Sequence, residues 1–307
     1  MSAAITLASI DHGFSFAYIG GTVRDKDGIG QVVTGHEQIH SSINPWDFLA
    51  VNEKKQIGLL FNQFQFKAAK ELADALINRT TKNKSLFKLL SHMIDGYYKW
   101  DLFRHNEAFD LFKRARLTEL TEFDDKSLQS FAHTTQDLMP FLENVVNNKK
   151  SPSILLVLDM YSNAERRFKE GKLDDAILRL YRLVEMIAQQ QLFIQYSIDS
   201  SDVSPASIPK PLRAKFERDY RKHYQGKIKI PQAAAFELLE ALNNDIGKAF
   251  KNNEKQFREV QSSRNNSYLA HGFISSKDKT YLHLRDFVLS LNLLRAEDSP
   301  VFPLMEI

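Results

Sequence analysis

Gln56-Ile57-Gly58-Leu59-Leu60-Phe61-Asn62-Gln63-Phe64-Gln65-Phe66-Lys67-Ala68-Ala69-Lys70-Glu71-Leu72-Ala73-Asp74-Ala75-Leu76 decides the fold class of this chain. Ile57, Leu60, Phe61 and Phe64, then Ala68, Ala69, Leu72 and Leu76, recur at i, i+3, i+4 and i+7, which lays an apolar stripe along one side of an α-helix. Leu86, Leu89, Leu90, Met93, Ile94 and Tyr97 continue it. Phe66-Ala69-Leu72, Asn106-Ala108-Leu111 and Leu173-Ala176-Leu180 are similar to the motifs of stacked helical hairpins, but the alanines at 69, 108 and 176 are unevenly spaced, so hairpins are expected and a regular solenoid is not. From Ile154 onward the pattern predicts helices over roughly 154–169, 173–195, 209–224, 232–250, 254–271 and 278–295. Lys149-Lys150-Ser151-Pro152-Ser153 reads as a linker ahead of them, and Asp199 to Pro211, rich in serine and proline, as a loop.

Upstream of Pro45 the composition changes. Gly13, Gly20, Gly21, Gly28, Gly30 and Gly35 place half of the chain's 12 glycines in the first 48 residues. Phe14 to Ile19 and Ile29 to Thr34 are short apolar runs separated by the turn signal Asp25-Lys26-Asp27-Gly28, which predicts a hairpin or two paired strands. Asn44-Pro45 disfavours helix at Asn44 and closes this segment. Over the whole chain, 12 glycines in 307 residues is about 4%, below the roughly 7% of average usage, and points to a mainly α protein.

Charge and cysteine content exclude several chemistries. Lys and Arg number 41 against 38 Asp and Glu, a formal charge of +3, and there is no cysteine. A thiolate nucleophile, a disulfide framework and a Cys-ligated zinc or iron–sulfur site are therefore ruled out, so a metal would rest on His and carboxylates. Met1 to Ile10 has no basic n-region, and no window approaches the ~18 uninterrupted apolar residues of a membrane span. The expectation is a cytoplasmic protein without a membrane partner.

His36-Glu37-Gln38-Ile39-His40 matches H-E-x-x-H, which on a helix sets two imidazoles one turn apart for zinc, with the Glu as general base. Gly35 before it and Asn44-Pro45 after it leave little room for that helix, and polar residues leaving a strand are the competing reading. Gly28-Ile29-Gly30 lacks the third glycine and the following helix of a dinucleotide loop.

Arg264-Asn265-Asn266-Ser267-Tyr268-Leu269-Ala270-His271-Gly272 is the sharpest chemical feature. Seven residues at ~100° each bring Arg264 and His271 onto one helix face, ~10 Å apart along the axis. Gly272 stands where a helix takes its left-handed cap, which leaves His271 in the last turn, where the helix dipole favours imidazolium. An imidazole that titrates near neutrality can move a proton, and a guanidinium can stabilise charge on a phosphate oxygen. A solvated helix end is the plainer alternative. Between Pro205 and Pro231, eight Lys and Arg against two acids give a net +6. Arg213, Lys215, Arg218, Arg221 and Lys222 of this stretch would attract a phosphate backbone, and Tyr220, His223 and Tyr224 could stack on bases. A charged surface helix would show the same pattern.

Ser162-Asn163-Ala164-Glu165-Arg166-Arg167, Gly171-Lys172-Leu173-Asp174-Asp175-Ala176 and Arg179-Leu180-Tyr181-Arg182-Leu183-Val184-Glu185, followed by Arg264-Asn265 and Ala270-His271-Gly272, resemble the HEPN ribonuclease domain. More narrowly, they resemble the C-terminal half of the CRISPR-associated CARF–HEPN proteins of type III interference systems. Asn44-Pro45-Trp46-Asp47, Phe61-Asn62, Phe66-Lys67-Ala68-Ala69 and Gly96-Tyr97-Tyr98-Lys99-Trp100-Asp101 look like the helical middle of that family. Tyr18 to Thr22 and Gly28 to Val33 look like the last strands of its sensor.

The resemblance implies a β-hairpin remnant of a Rossmann-like CARF sensor over 1–48, a helical middle domain over 49–150 and a HEPN domain over 151–307. It implies a homodimeric, cofactor-free endoribonuclease that cuts single-stranded RNA at Arg264, Asn265 and His271 in antiviral defence. Most of the sensor is not in this sequence, so control by a cyclic oligoadenylate is expected only if a sensor is supplied. The alternatives are a non-catalytic helical module that binds RNA or protein and, third, a zinc peptidase acting through His36, Glu37 and His40.

Overall fold

Helices make up nearly all the regular structure, and their ends show how a glycine-poor chain turns so often. The structure, a computed structural model, describes residues 16–21, 23, 32–43, 46–115, 117–148, 151–221, 226–265 and 276–307, with only the backbone described at some of these, including His40, Arg264 and Asn265. Helix α1 (Trp46–Asn62) ends with Phe64 in the left-handed region at φ 59°, and the Gln65 N–H donates back to the Leu60 carbonyl at 2.9 Å. After α2 (Phe66–Arg79), helix α3 (Lys84–Asp101) ends in the same way at Phe103, φ 58°, with Arg104 N–H on the Lys99 carbonyl at 2.9 Å. These are Schellman closures, in which glycine usually takes the left-handed position. Here phenylalanine takes it twice.

The first compact unit comprises residues up to Gln136 together with Pro303–Ile307. Its helices continue with α4 (His105–Arg114), α5 (Leu117–Thr121) and the start of α6 (Lys126–Asn147). Buried Tyr97 is the hub of its core, with ring centroids 5.2 Å from Phe61, 4.9 Å from Phe112 and 6.4 Å from Trp100. Its hydroxyl shares a 2.8 Å hydrogen bond with Thr135, so a phenol can be buried without an orphaned oxygen. Gly96 on α3 lets α4 close in: a Cβ there would come within 2.5 Å of the Phe112 ring.

Ahead of these helices, β1 (Phe16–Gly21) pairs antiparallel with β2 (Glu37–Ile43), with Gly20 opposite Gln38 and Gly21 opposite Glu37. The partner expected for β1 is the 29–34 run. What is described of that run, residues 32–34, meets Val23 through a 3.1 Å hydrogen bond from Val33 N–H to Val23 O. Gly35, at φ 90°, then turns the chain into β2, a strand that the apolar content of 37–43 does not announce.

The second unit spans Asp137–Phe302. The division falls inside α6 beside Pro140, which has no N–H to give the Gln136 carbonyl. Helices α7 (Ile154–Lys169) and α8 (Leu173–Tyr196) form a hairpin closed at Gly171, φ 73°, with Lys172 N–H on the Arg167 carbonyl at 2.9 Å. Helix α8 is the central post, with Leu180, Leu183, Val184 and Ile187 fully buried. Around it stand α9 (Lys210–Tyr220), α10 (Gln232–Ala241), α11 (Asp245–Asn252), α12 (Glu254–Asn265) and α13 (Asp278–Ser290). Tyr281 of α13 stacks on Phe168 at 4.1 Å, and its hydroxyl donates to Glu165 at 2.6 Å, which fastens α13 to α7. Burial, and then that carboxylate, push the Tyr281 phenol well above its ordinary value.

One helix expected over 232–250 is two. Asn243 adopts φ 62°, and the Asn244 side chain accepts the Ile246 and Gly247 N–H groups at 3.0 and 3.2 Å as an N-cap. Apolar spacing carries across this corner, so periodicity alone does not reveal it. Helix α9 likewise stops at Tyr220 rather than 224, because Arg221 pairs with Ile228 in an antiparallel bridge.

Candidate active site

Helix α12 presents the Arg264 and Asn265 positions in its last turn. Its start is fixed by Glu254, whose carboxylate takes Arg258 at 2.6 Å and Lys251 at 3.3 Å. The Arg258 hydrogen bond, outweighing desolvation, holds that carboxyl below its usual range. Its middle is fixed by buried Phe257, with ring centroids 5.1 Å from Phe287, 5.3 Å from Phe250 and, stacked, 5.7 Å from Tyr181. One turn on, Gln261 Nε2 donates to the Tyr181 hydroxyl at 2.8 Å. On the other side of the motif, Ser276 Oγ donates to Asp174 Oδ1 at 2.5 Å. Asp174 and Tyr181 are seven residues apart on α8, hence on one face and ~10 Å apart along it.

The helix expected over 254–271 is described as far as Asn265. Residues 266–275, with His271 and Gly272, lie outside the described residues. By helical phase, Arg258, Gln261, Ser262 and Asn265 fall at i, i+3, i+4 and i+7, on one face of α12. That face borders a cleft of about 870 Å³ lined also by Tyr181, Lys215, Tyr220 and Glu237. The Asn265 position therefore stands at the end of a row that borders the cleft.

Among the described residues the basic stretch does not form a bare cationic face. Lys215 is bonded to Glu237 at 2.7 Å, Arg218 to Asp219 at 2.8 Å and Arg221 to Glu217 at 3.0 Å. Arg213 donates to the Ile208 carbonyl at 3.1 Å, and Lys222 lies outside the described residues. The hydrogen bond that Lys215 donates to Glu237 holds its ammonium above its usual value. Among the described members of this set Lys215 borders the cleft, and its partner comes from α10, which a local charge count does not include.

The H-E-x-x-H residues stand on or beside β2, not on a helix. Four residues of strand separate two backbone positions by roughly 13 Å, so His36 and His40 do not form the one-turn pair that the zinc motif requires. Among the described residues no group of three or more His, Asp or Glu is gathered as for a metal ion, and no helix is long and apolar enough to cross a membrane.

Sequence reasoning did not find the contacts of Tyr181 and Asp174 with the two sides of the motif. Both residues lie in the stretch that carries the HEPN resemblance, but a hydrogen bond over 80 or 102 residues leaves no local signal. Residues 145–295 match the family model described as the Csm6 HEPN domain, and residues 49–142 match the one described as the Csm6 6H domain. No curated protein sequence matches the chain.

Proposed function

Because the chain belongs to the Csm6-like family of CRISPR-associated HEPN ribonucleases, we propose that it is a metal-independent endoribonuclease of single-stranded RNA in type III antiviral defence. The observation that carries this reading is the order Arg264, Asn265, His271 inside the stretch matched by the HEPN model, with the first two positions in the last turn of α12. We assign 1–48 to a CARF-like remnant, 49–150 to the helical middle domain and 151–307 to the HEPN domain. Two protomers place their Arg264/His271 pairs about a twofold axis. A cyclic oligoadenylate is an activator only if a sensor domain is supplied.

In the reaction the substrate's 2′-oxygen forms a bond to the adjacent phosphorus, and the bond from phosphorus to the 5′-oxygen breaks. His271 moves the proton that the 2′-hydroxyl loses and the 5′-oxygen gains, Arg264 stabilises the charge on the phosphorane oxygens, and Asn265 orients one of the two. The products are a 2′,3′-cyclic phosphate and a 5′-hydroxyl. Arg213, Lys215, Arg218, Arg221 and Lys222 guide the RNA backbone. The carboxylate partners of Lys215, Arg218 and Arg221 do not bar this role, since an exposed ion pair is worth ~0–1 kcal/mol and a phosphate can displace it.

The test is cleavage of end-labelled single-stranded RNA in excess EDTA. Cleavage is expected to persist with chelator and to vanish in His271→Ala and Arg264→Ala. Loss of activity on chelation, or full activity in His271→Ala, would sink the mechanism. Binding without cleavage, indifferent to Arg264→Ala, would instead identify a non-catalytic RNA-binding module.

A further inference from the structure

The chain on the two sides of the Arg264/His271 stretch is tied to one face of one helix. Gln261, three residues before Arg264, donates to Tyr181, and Ser276, five residues after His271, donates to Asp174. We infer that Tyr181 and Asp174 are positioning residues, which tie Gln261 and Ser276, on the two sides of the catalytic residues, to α8. The inference takes its kinetic consequence from the ribonuclease reading, while the two hydrogen bonds stand without it.

The post to which they belong is rigid. Leu180, Leu183 and Val184, around Tyr181, are fully buried, and Arg179 bonds both to the buried Asn163 side chain of α7 and, at 3.0 Å, to the Asp175 carbonyl. The Tyr181 ring is placed by its stack on Phe257, so removing the hydroxyl leaves that stack in place and deletes the bond to Gln261. Asp174 lies in the first turn of α8, where a carboxylate is favoured by the helix dipole even without Ser276. Tyr181→Phe therefore keeps the stack, and a substitution of Asp174 loses only the modest favour of the dipole beside its bond to Ser276. An acid–base pair and a phosphate must meet within a few tenths of an ångström, and a misplacement of ~1 Å costs on the order of 100-fold in rate.

The experiment compares the full chain with Tyr181→Phe, Asp174→Ala, Asp174→Asn and the double variant Tyr181→Phe/Asp174→Ala. On a fluorescent single-stranded RNA, each single loss is expected to lower kcat about tenfold and the double about 100-fold, with KM within about twofold. Asp174→Asn, which keeps an acceptor for Ser276, should restore most of the rate lost in Asp174→Ala. Amide hydrogen exchange across residues 262–276 should quicken in the double variant and stay unchanged in α7 and α8. An unchanged kcat in the double variant, or losses accompanied by a raised KM and a lowered melting temperature, would overturn the positioning role. Should the parent protein cut no RNA, the ribonuclease reading fails by itself, and the exchange measurement still decides: unchanged exchange over 262–276 refutes the attachment, and quickened exchange upholds it.

Discussion

Asn62 faces Met305 as a neighbouring strand would, its Nδ2 donating to the Met305 carbonyl at 3.2 Å and its Oδ1 accepting the Met305 N–H at 2.7 Å. One turn earlier, Gly58 makes room: a Cβ there would stand 2.6 Å from the same carbonyl oxygen. A side-chain amide thus supplies the backbone partners for a residue 243 positions away and seats residues 303–307 in the first unit. Asn62→Leu keeps the volume but leaves both Met305 groups unpaired, and should cost about 2–3 kcal/mol. Urea unfolding of the first unit measures it, and a cost below about 0.5 kcal/mol would show that water serves Met305 equally well.

Gly247 has a role of the opposite kind. A Cβ on it would meet the Glu240 nitrogen at 2.4 Å and the Leu239 carbonyl carbon at 2.6 Å, both backbone atoms that no rotamer change can move. Gly247→Ala should therefore force α10 and α11 apart and destabilise the second unit by roughly 1–3 kcal/mol, against the usual gain from alanine in a helix. A melting temperature equal to or above that of the parent would contradict the close approach.

Ser197 offers a gain. It is exposed, carries the left-handed φ of 54° at the end of α8, and its N–H closes on the Phe193 carbonyl at 3.0 Å. Ser197→Gly should stabilise the protein by about 1 kcal/mol, because glycine adopts that conformation without the Cβ clash. A thermal scan should show a rise of a few degrees.

These positions also show what was legible in the sequence. Stripes such as Leu86-Leu89-Leu90-Met93 reveal helices, because burial of one face leaves a local period, and the mainly α class follows from them. Left-handed ends at Phe64 and Phe103 are invisible to a search for glycine, since their backbone is imposed by the packing of neighbouring elements. The pairing of β1 with β2 escapes for a related reason: 37–43 is polar where an apolar run is sought, and its partner lies beyond an intervening turn. Arg264 and His271, with Asn265 beside the first, are proposed from their spacing along an expected helix, of which 254–265 is described. Tyr181 and Asp174 meet Gln261 and Ser276 over chain distances that no window spans, and the Glu237 that restrains Lys215 lies outside the basic stretch altogether.

Asp125 gives the first unit a pH dependence. Burial would raise its carboxyl, but the hydrogen bond from Lys54 at 2.6 Å and those from the Leu128 and Ser127 N–H groups outweigh it and hold it below its ordinary 3.8. A depressed carboxyl contributes stability that is whole above the unfolded value and is lost as pH falls through the folded one. Asp125→Asn should therefore lower the melting temperature at pH 7, and the gap to the parent protein should narrow as pH drops below 3.8. The amide introduced by that substitution could still cap α6, so the cost at pH 7 reports mainly the loss of the Lys54 pair, about 1 kcal/mol. A gap independent of pH would assign the effect to packing.

Glu237 and Lys215 allow a test of the proposed RNA path without touching Arg264, Asn265 or His271. The pair is exposed enough, at 32% and 43% of the two side chains, for water and salt to screen it, so an RNA phosphate competes with Glu237 for Lys215 on nearly even terms. Glu237→Gln removes the competitor and adds one positive charge beside the cleft. Affinity for single-stranded RNA should rise about threefold at low ionic strength. The log of affinity against the log of salt should steepen by up to ~0.7, the increment for one further phosphate contact on a single strand. Lys215→Gln should reverse both changes. Fluorescence anisotropy with the His271→Ala protein, from about 50 to about 300 mM salt, reads the slope directly. Identical slopes for the parent and Glu237→Gln would take Lys215 out of the RNA path and leave its bond to Glu237 as a link between α9 and α10.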